Sequence, residues 1–244
     1  MVSHPYLDES GVSIFAHRGG SIEAPENTLE AFQYALDLGC EYIETDVQLS
    51  KDGIPYIFHD DDLKRILSVD KNFGDLYSSE INNLKIFNNY SIPTLKECLE
   101  QFPNTKFNID LKTDAVMEPA LNEMKKMNAL HRICIASFSD ERLNFTRQNF
   151  PEVCLSMGPK EIWDLKKKTW GFNSKKILGN CVQVPIYKYG IKIVTKKFVT
   201  KIHQLGLKIH VWTINDDKTM QKLIDIGVDG IITDKPSALK ELLS

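Results

Sequence analysis

Two histidines, His17 and His59, and two carboxylates, Glu44 and Asp46, fall inside the stretch from Ser13 to Asp60, each where an apolar run gives way to polar residues. Together they form a catalytic inventory. On a strand of two-residue period, positions 42, 44, 46 and 48 share one face while Ile43, Val47 and Leu49 share the other, so one face is acidic and the other greasy. Two carboxylates at adjacent positions of one face repel. A divalent cation or a shared proton relieves that repulsion. Metal binding is the economical reading of the pair; its alternative is an exposed strand face with both acids solvated.

The elements that must position these groups follow from the pattern around them. A short run, Ile14-Phe15-Ala16, delivers His17-Arg18-Gly19-Gly20 at the end of a first strand. Past Pro25-Glu26-Asn27-Thr28, an amphipathic helix is expected, with Asn27 and Glu30 at capping-box spacing, Leu29, Phe32 and Leu36 on one face and Gly39 as a stop. Strand two runs from about Glu41 to Leu49. Lys51-Asp52-Gly53 then turns into a short strand ending before His59-Asp60, where Pro55 points to an edge or irregular position.

Length and composition limit the classes available. A chain of 244 residues with 42% hydrophobic content can bury a large core, and its length suits one α/β barrel or two small domains. The formal net charge of −3 gives no reason to expect a nucleic-acid partner. Five scattered cysteines, Cys40, Cys98, Cys134, Cys154 and Cys181, lack the close pairs of zinc or redox motifs and read mostly as small core residues. The first residues lack a basic start and an apolar run, so no secretory signal is expected. No segment approaches the ~18 consecutive apolar residues of a membrane span. A cytoplasmic, reducing location follows as an expectation.

Residues 60–92 are polar, broken by Gly74, Asn82-Asn83 and Asn88-Asn89, and too long for a simple connection. They read as an insertion over a site, with most of Phe73, Tyr77, Phe87 and Tyr90 anchoring it. A helix from Pro93-Thr94 to about Phe102 leads to Lys106–Lys112, which alternates sharply. There Phe107, Ile109 and Leu111 face one way and Asn108, Asp110 and Lys112 the other, as in a barrel strand whose inner face approaches an active site. Strand-then-helix units recur at Ile133–Phe138, Val153–Met157, Cys181–Val184, Lys208–Ile214 and Gly230–Thr233. Eight such strands without a long linker argue for one closed parallel barrel over an open doubly wound sheet.

In order along the chain, His17-Arg18-Gly19, Pro25-Glu26-Asn27-Thr28, Glu44-x-Asp46, Lys51-Asp52-Gly53, His59-Asp60, Asp110-x-Lys112, Val211-Trp212-Thr213 and Thr233-Asp234-Lys235-Pro236 resemble the signature of the glycerophosphodiester phosphodiesterases. The resemblance spans residues 13–236. It implies an α/β fold of the TIM (β/α)8 type with a small insertion after the second strand, a divalent cation, Mg²⁺ or Ca²⁺, and hydrolysis of a glycerophosphodiester to glycerol 3-phosphate and an alcohol. In one position the chain departs from the family, which usually has Glu where this sequence has Asp110.

The implied chemistry assigns roles to these residue types. Glu44, Asp46 and Asp110 would hold the cation, and Arg18 and Lys112 would bind phosphate oxygens. His17 and His59 would form the acid–base pair of an in-line displacement, with neither assigned as the acid. Trp212 is expected at the barrel mouth against the glycerol carbons, with core packing as its alternative. His4, His131, His203 and His210 have no such context and are read as structural. The basic run Lys166-Lys167-Lys168 with Lys175 and Lys176 reads as a solvated face. Other functions on the same fold are a phospholipase-type lyase releasing a cyclic phosphate, a metal-dependent sugar isomerase and a binding module.

Overall fold

The computed structural model describes residues 4–169 and 177–244. The chain runs β1 (Ser13–His17), α1 (Leu29–Asp37), β2 (Tyr42–Leu49), β3 (Pro55–Ile57), α2 (Lys64–Leu67), α3 (Ser78–Ile81), α4 (Leu95–Gln101), β4 (Lys106–Leu111), α5 (Met117–Lys126), β5 (Ile133–Ala136), α6 (Asp140–Asn149) and β6 (Cys154–Leu155). It continues through α7 (Pro159–Thr169), β7 (Cys181–Pro185), β8 (Tyr187–Lys188), β9 (Ile191–Lys192), α8 (Lys196–Gln204), β10 (Lys208–Trp212), α9 (Asp217–Asp225), β11 (Gly230–Thr233) and α10 (Pro236–Leu243). Eight strands lie parallel in the order β6-β5-β4-β2-β1-β11-β10-β7. A single parallel bridge, Ser156 to Cys181, joins the two ends of that order and makes a nearly closed eight-stranded barrel. This is the α/β TIM (β/α)8 architecture expected from the sequence.

Alternation along each strand sorts the side chains into two cores. Outward residues such as Ile14, Ala16, Ile43, Val47, Phe107, Ile109 and Leu111 are buried against the helices, among them Phe32 of α1 and Leu99 of α4. Burying one such aliphatic or phenyl side chain stabilises the fold by about 1.5–3 kcal/mol. Inward residues at the N-terminal end of the barrel, Phe15, Tyr42, Cys134, Cys154, Cys181 and Ile232, form a second cluster. A 3₁₀ turn at Pro5–Leu7 inserts Tyr6 into it, and the Tyr42 hydroxyl donates to the Tyr6 carbonyl at 2.7 Å. The bottom of the barrel is therefore plugged, and the polar inward residues collect at the opposite end.

Helix starts are set by side chains that accept from otherwise unpaired N–H groups. Thr94 caps α4 by a reciprocal bond with Glu97, at the helix start expected from the sequence. α1 differs from expectation. Thr28, not Asn27, is its cap and accepts from the Ala31 N–H at 3.1 Å. Asn27 stands one residue earlier with φ +56° and its side chain turned into the barrel mouth. An Asn tolerates that left-handed conformation better than most residues, so the spacing that mimicked a capping box belongs to a turn.

β3 pairs antiparallel with β2, off the barrel path, with Pro55 at its first residue. Residues 60–92 build their own small core, in which Phe73, Leu76, Ile81 and Ile86 pack on Tyr56 and Phe58. Phe73 and Tyr90 serve this anchoring, whereas Tyr77 and Phe87 stay exposed. The basic run is not uniformly solvated. Lys166 is buried and its Nζ donates to the carbonyls of Lys192 and Ile193 at 3.0 Å each, because the loop after β9 passes over α7. Lys167 is exposed beside Asp164. The side chain of Lys168, and Lys175 and Lys176, lie outside the described residues.

Candidate active site

The corner after β1 is built by backbone as much as by side chains. Arg18 has φ +53° and Gly19 φ +83°, and the Arg18 N–H donates to the Glu44 carbonyl at 2.8 Å, stitching the corner to β2. A methyl group at Gly19 would stand 2.7 Å from the Ala31 Cβ, so the close approach of α1 requires glycine there. This geometry leaves His17 at the strand end and points Arg18 across the mouth of the barrel.

Glu44 and Asp46 share the inward face of β2, and the register places Asp46 directly beside Asp110 of β4. Lys112 lies between these two strands, with its Nζ 2.7 Å from Asp46 Oδ1 and 2.9 Å from Asp110 Oδ2. Arg18 Nε faces Asp46 Oδ2 at 3.4 Å without completing a hydrogen bond. Burial, the neighbouring Asp46 charge next, pushes the Glu44 carboxyl up to about 7, against the opposing influence of His17, Lys112 and Arg18. Asp46 goes the other way. Burial opposes its charge, but Lys112, His59 and Arg18 hold it below the ordinary carboxylate range. Asp110 is raised by burial and by Asp46, against Lys112. The three acids offer only hard oxygen donors, and Glu44 is a carboxylate whose charge the chain's own cations do not fully offset. That donor set and that deficit fit a divalent cation of the Mg²⁺ or Ca²⁺ type.

Both histidines are braced at Nδ1 by an aspartate. His17 Nδ1 lies 2.5 Å from Asp234 Oδ1, and its Nε2 lies 3.6 Å from Glu44. Burial disfavours the imidazolium, but Glu44 and the bond to Asp234 outweigh it and raise the His17 pKa above its ordinary value. Asp234 also accepts from Ser21 Oγ at 2.5 Å and from Asn215 Nδ2 at 2.6 Å. Although burial works against it, those bonds hold the Asp234 carboxyl down to about 2. His59 Nδ1 lies 2.5 Å from Asp60 Oδ1. Asp60 is held by Arg65 of α2, Arg65 by Glu26, and Glu26 by Arg18, so a continuous chain of ion pairs links the insertion to the β1 corner.

His17, Arg18, Glu44, Asp46, His59, Asp110, Lys112 and Trp212 all line one cavity of about 290 Å³ at the C-terminal end of the strands. Its other wall is apolar, with Phe138, Met157, Ile162, Trp163 and Pro185. Trp212 is half-buried and meets Phe138 edge to face, with ring centroids 5.6 Å apart. No residue of 60–92 is among those lining this cavity; the insertion reaches it through the Asp60 and Arg65 braces.

A family model for the glycerophosphoryl diester phosphodiesterase family matches residues 17–238, which takes in every residue of this site. The chain belongs to the glycerophosphodiester phosphodiesterase family. It is an enzyme, a phosphoric diester hydrolase with glycerophosphodiester phosphodiesterase activity. Among its relatives is a Mycobacterium tuberculosis protein named "Probable glycerophosphodiester phosphodiesterase 2", 32% identical over 98% of this chain and 93% of its own length. Human lysophospholipase D GDPD1 is 27% identical over 93% of this chain and 85% of its own. Among solved structures, an Oleispira antarctica phosphodiesterase in complex with the product sn-glycerol-3-phosphate superposes with a TM-score of 0.79, at 26% identity over 95% of this chain and 96% of that one.

Within this phosphodiesterase barrel, four polar residues join the site that sequence reasoning left without a role. Asp234 and Asp60 orient the two imidazoles, Glu26 fixes Arg18, and Asn27 accepts from Thr45 Oγ1 at 2.8 Å while donating to Asp46 at 3.2 Å. Each stands inside a motif already conspicuous in the chain. What the sequence lacked was the pairing, since Asp234 meets a histidine 217 positions away.

Proposed function

We propose that the enzyme hydrolyses glycerophosphodiesters to sn-glycerol 3-phosphate and an alcohol by histidine acid–base catalysis at a divalent-cation site. The observation that carries this reading is the pair of imidazoles, each fixed at Nδ1 by an aspartate, in a cavity shared with Arg18, Lys112 and three carboxylates. Glu44, Asp46 and Asp110 would hold the cation, whose chemistry is to polarise the phosphoryl group and offset charge in the transition state. The Arg18 guanidinium and the Lys112 ammonium bind the remaining phosphate oxygens. With Nδ1 engaged, Nε2 of each histidine is the atom that exchanges a proton. One imidazole takes it from the attacking oxygen, either water or a glycerol hydroxyl whose cyclic phosphate water then opens, and the other gives one to the departing alkoxide. Trp212 packs against the glycerol carbons, and the segment 60–92 steadies the side of the site that bears His59. A single barrel domain carrying this insertion in a reducing cytoplasm completes the proposal, supported by five free, buried cysteines. Among the described residues no helix is long and apolar enough to cross a membrane.

Phosphorus NMR of glycerophosphocholine turnover tests the reaction. Appearance of glycerol 3-phosphate with free choline is expected; accumulation of a cyclic phosphate as end product would assign a lyase instead. Dialysis against EDTA should abolish turnover, and Mg²⁺ or Ca²⁺ should restore it. Asp110→Ala should raise the cation concentration needed for half-maximal rate, with Asp110→Glu much closer to wild type. An unchanged cation titration in Asp110→Ala would place the third ligand elsewhere.

The apolar wall favours one second reading, a lysophospholipid as the diester, in line with the name of the human relative. An acyl chain would lie along Phe138, Ile162 and Trp163. Release of choline from lysophosphatidylcholine, diminished selectively by Trp163→Ala, would support it. Release from glycerophosphocholine alone would exclude it.

A further inference from the structure

Below the active site, three neighbouring barrel strands each direct a thiol toward one point, and a fourth carries an imidazole, His210, beside one of them, Cys181. Cys134 on β5 is in register with Cys154 on β6, Cys181 opens β7 beside the Ser156 bridge, and His210 lies on β10, paired in register with Gln183. All three cysteines are fully buried, and their Sγ atoms lie within 4.8 Å of one another. Cys134 and Cys181 are 3.9 Å apart. A tetrahedral zinc ion with Zn–S bonds of about 2.3 Å separates its sulfurs by about 3.8 Å. Among the described residues this is the one group of three or more Cys, His, Asp or Glu side chains whose ligand atoms converge so closely.

We propose that Cys134, Cys154, Cys181 and His210 form a structural Zn²⁺ site inside the barrel, separate from the catalytic cation. The donor set argues for the ion. Three thiolates and an imidazole are borderline-soft ligands that suit zinc and do not suit Mg²⁺ or Ca²⁺, so the two sites of the chain select different metals. A closed set of four protein ligands, with no place for water or substrate, marks a structural site rather than a catalytic one.

One surrounding group independently points into the cluster. The Tyr6 hydroxyl is completely buried among the three cysteines and has no hydrogen-bond partner, a costly arrangement that a thiolate sulfur would relieve by accepting from it. Gln183 lies 3.3 Å from His210 Nδ1 and 2.9 Å from Asn108. Zinc binding would leave all three cysteines as thiolates, their protons released to solvent. The ion would bridge β6 and β7, the strands otherwise joined by one backbone bridge.

The test is zinc content of the whole protein purified from zinc-supplemented cultures and then dialysed against EDTA to remove exchangeable catalytic ions. One zinc per chain is expected by mass spectrometry of the metal, falling at least tenfold in Cys154→Ser. Because that variant can fail to fold, the wild type is also denatured under reducing conditions and refolded with Co²⁺ in place of zinc. Thiolate-to-cobalt charge-transfer absorption in the near ultraviolet is expected, and a change in the visible d–d bands in His210→Ala with the thiolate band kept would place the imidazole in the set. Wild-type protein with less than a tenth of a zinc per chain and no charge-transfer band overturns the proposal. So does a disulfide among the three cysteines, or a zinc content that Cys154→Ser leaves unchanged in folded protein.

Discussion

At the scale of single residues, the phosphodiesterase site depends on side chains whose ionisation is set by neighbours. On the proposed mechanism, replacing His17 or His59 by alanine removes a proton-transfer group, and kcat should fall by roughly two orders of magnitude or more in each variant. Near-normal turnover by either folded variant would remove that histidine from the mechanism. Asp234→Asn probes position and charge together. Asp234 holds the His17 pKa up, so its loss should move the His17 limb of the pH–rate profile to lower pH and reduce kcat by about tenfold or more. A profile that does not move would show that Asp234 serves the fold alone. Residue types made His17, His59, Glu44 and Asp46 legible in the sequence, because few other roles account for histidines and paired acids at strand ends. Asp234 stood inside the Thr233-Asp234-Lys235-Pro236 motif, but nothing local pairs it with His17 until the fold brings β1 and β11 side by side.

At the scale of elements, two-residue alternation located the strands and their inward faces correctly, since β2 and β4 bury one face against helices and turn the other to the site. Asn27 shows where local reading fails. A spacing of three to Glu30 is satisfied equally by a cap and by a left-handed turn, and only the contact with Asp46 decides between them. The same corner yields a test. Gly19→Ala must hold an L-residue at φ +83° and force its methyl against the Ala31 Cβ and backbone, so a stability loss of roughly 2 kcal/mol or more is expected, with kcat/KM falling as His17 and Arg18 shift. Gly53→Ala is the control. It has a similar φ of +84° but open space around it, and should cost about 1 kcal/mol with activity retained. Equal effects of the two changes in thermal unfolding would refute the packing argument. The cysteines mark the other limit of sequence reading. Widely spaced along the chain, they converge only because barrel closure sets β5, β6 and β7 in neighbouring positions.

For the whole molecule, the site is expected to couple stability to pH and, on the proposed mechanism, to a divalent cation. The Glu44 carboxyl rests at about 7 in the fold against 4.5 in the open chain, so folding favours its protonated form. That contribution is complete below about pH 4.5 and is lost as pH rises through about 7. In EDTA, Tm should therefore decline from about pH 5 to about pH 8 more steeply in the wild type than in Glu44→Gln, and added Ca²⁺ or Mg²⁺ should flatten the wild-type curve. Parallel curves for the two proteins in EDTA would show that Glu44 is not strained by its neighbours. The eight-unit barrel was legible at this scale because each strand and helix carries its own periodicity. The weak seam between β6 and β7 was not, since it depends on how few residues of each strand pair.

The partnership of His17 with Asp234 also sets a schedule for the enzyme's birth. The two residues are 217 positions apart, and β1, the first strand made, takes one of its two neighbours from β11, the last. A ribosome adding roughly 5–20 residues per second leaves β1 with an open edge for on the order of ten seconds or more. During that interval Phe15 lacks its barrel lining, and His17 has no carboxylate at Nδ1. On the proposed mechanism, the contact that completes the barrel also completes the site.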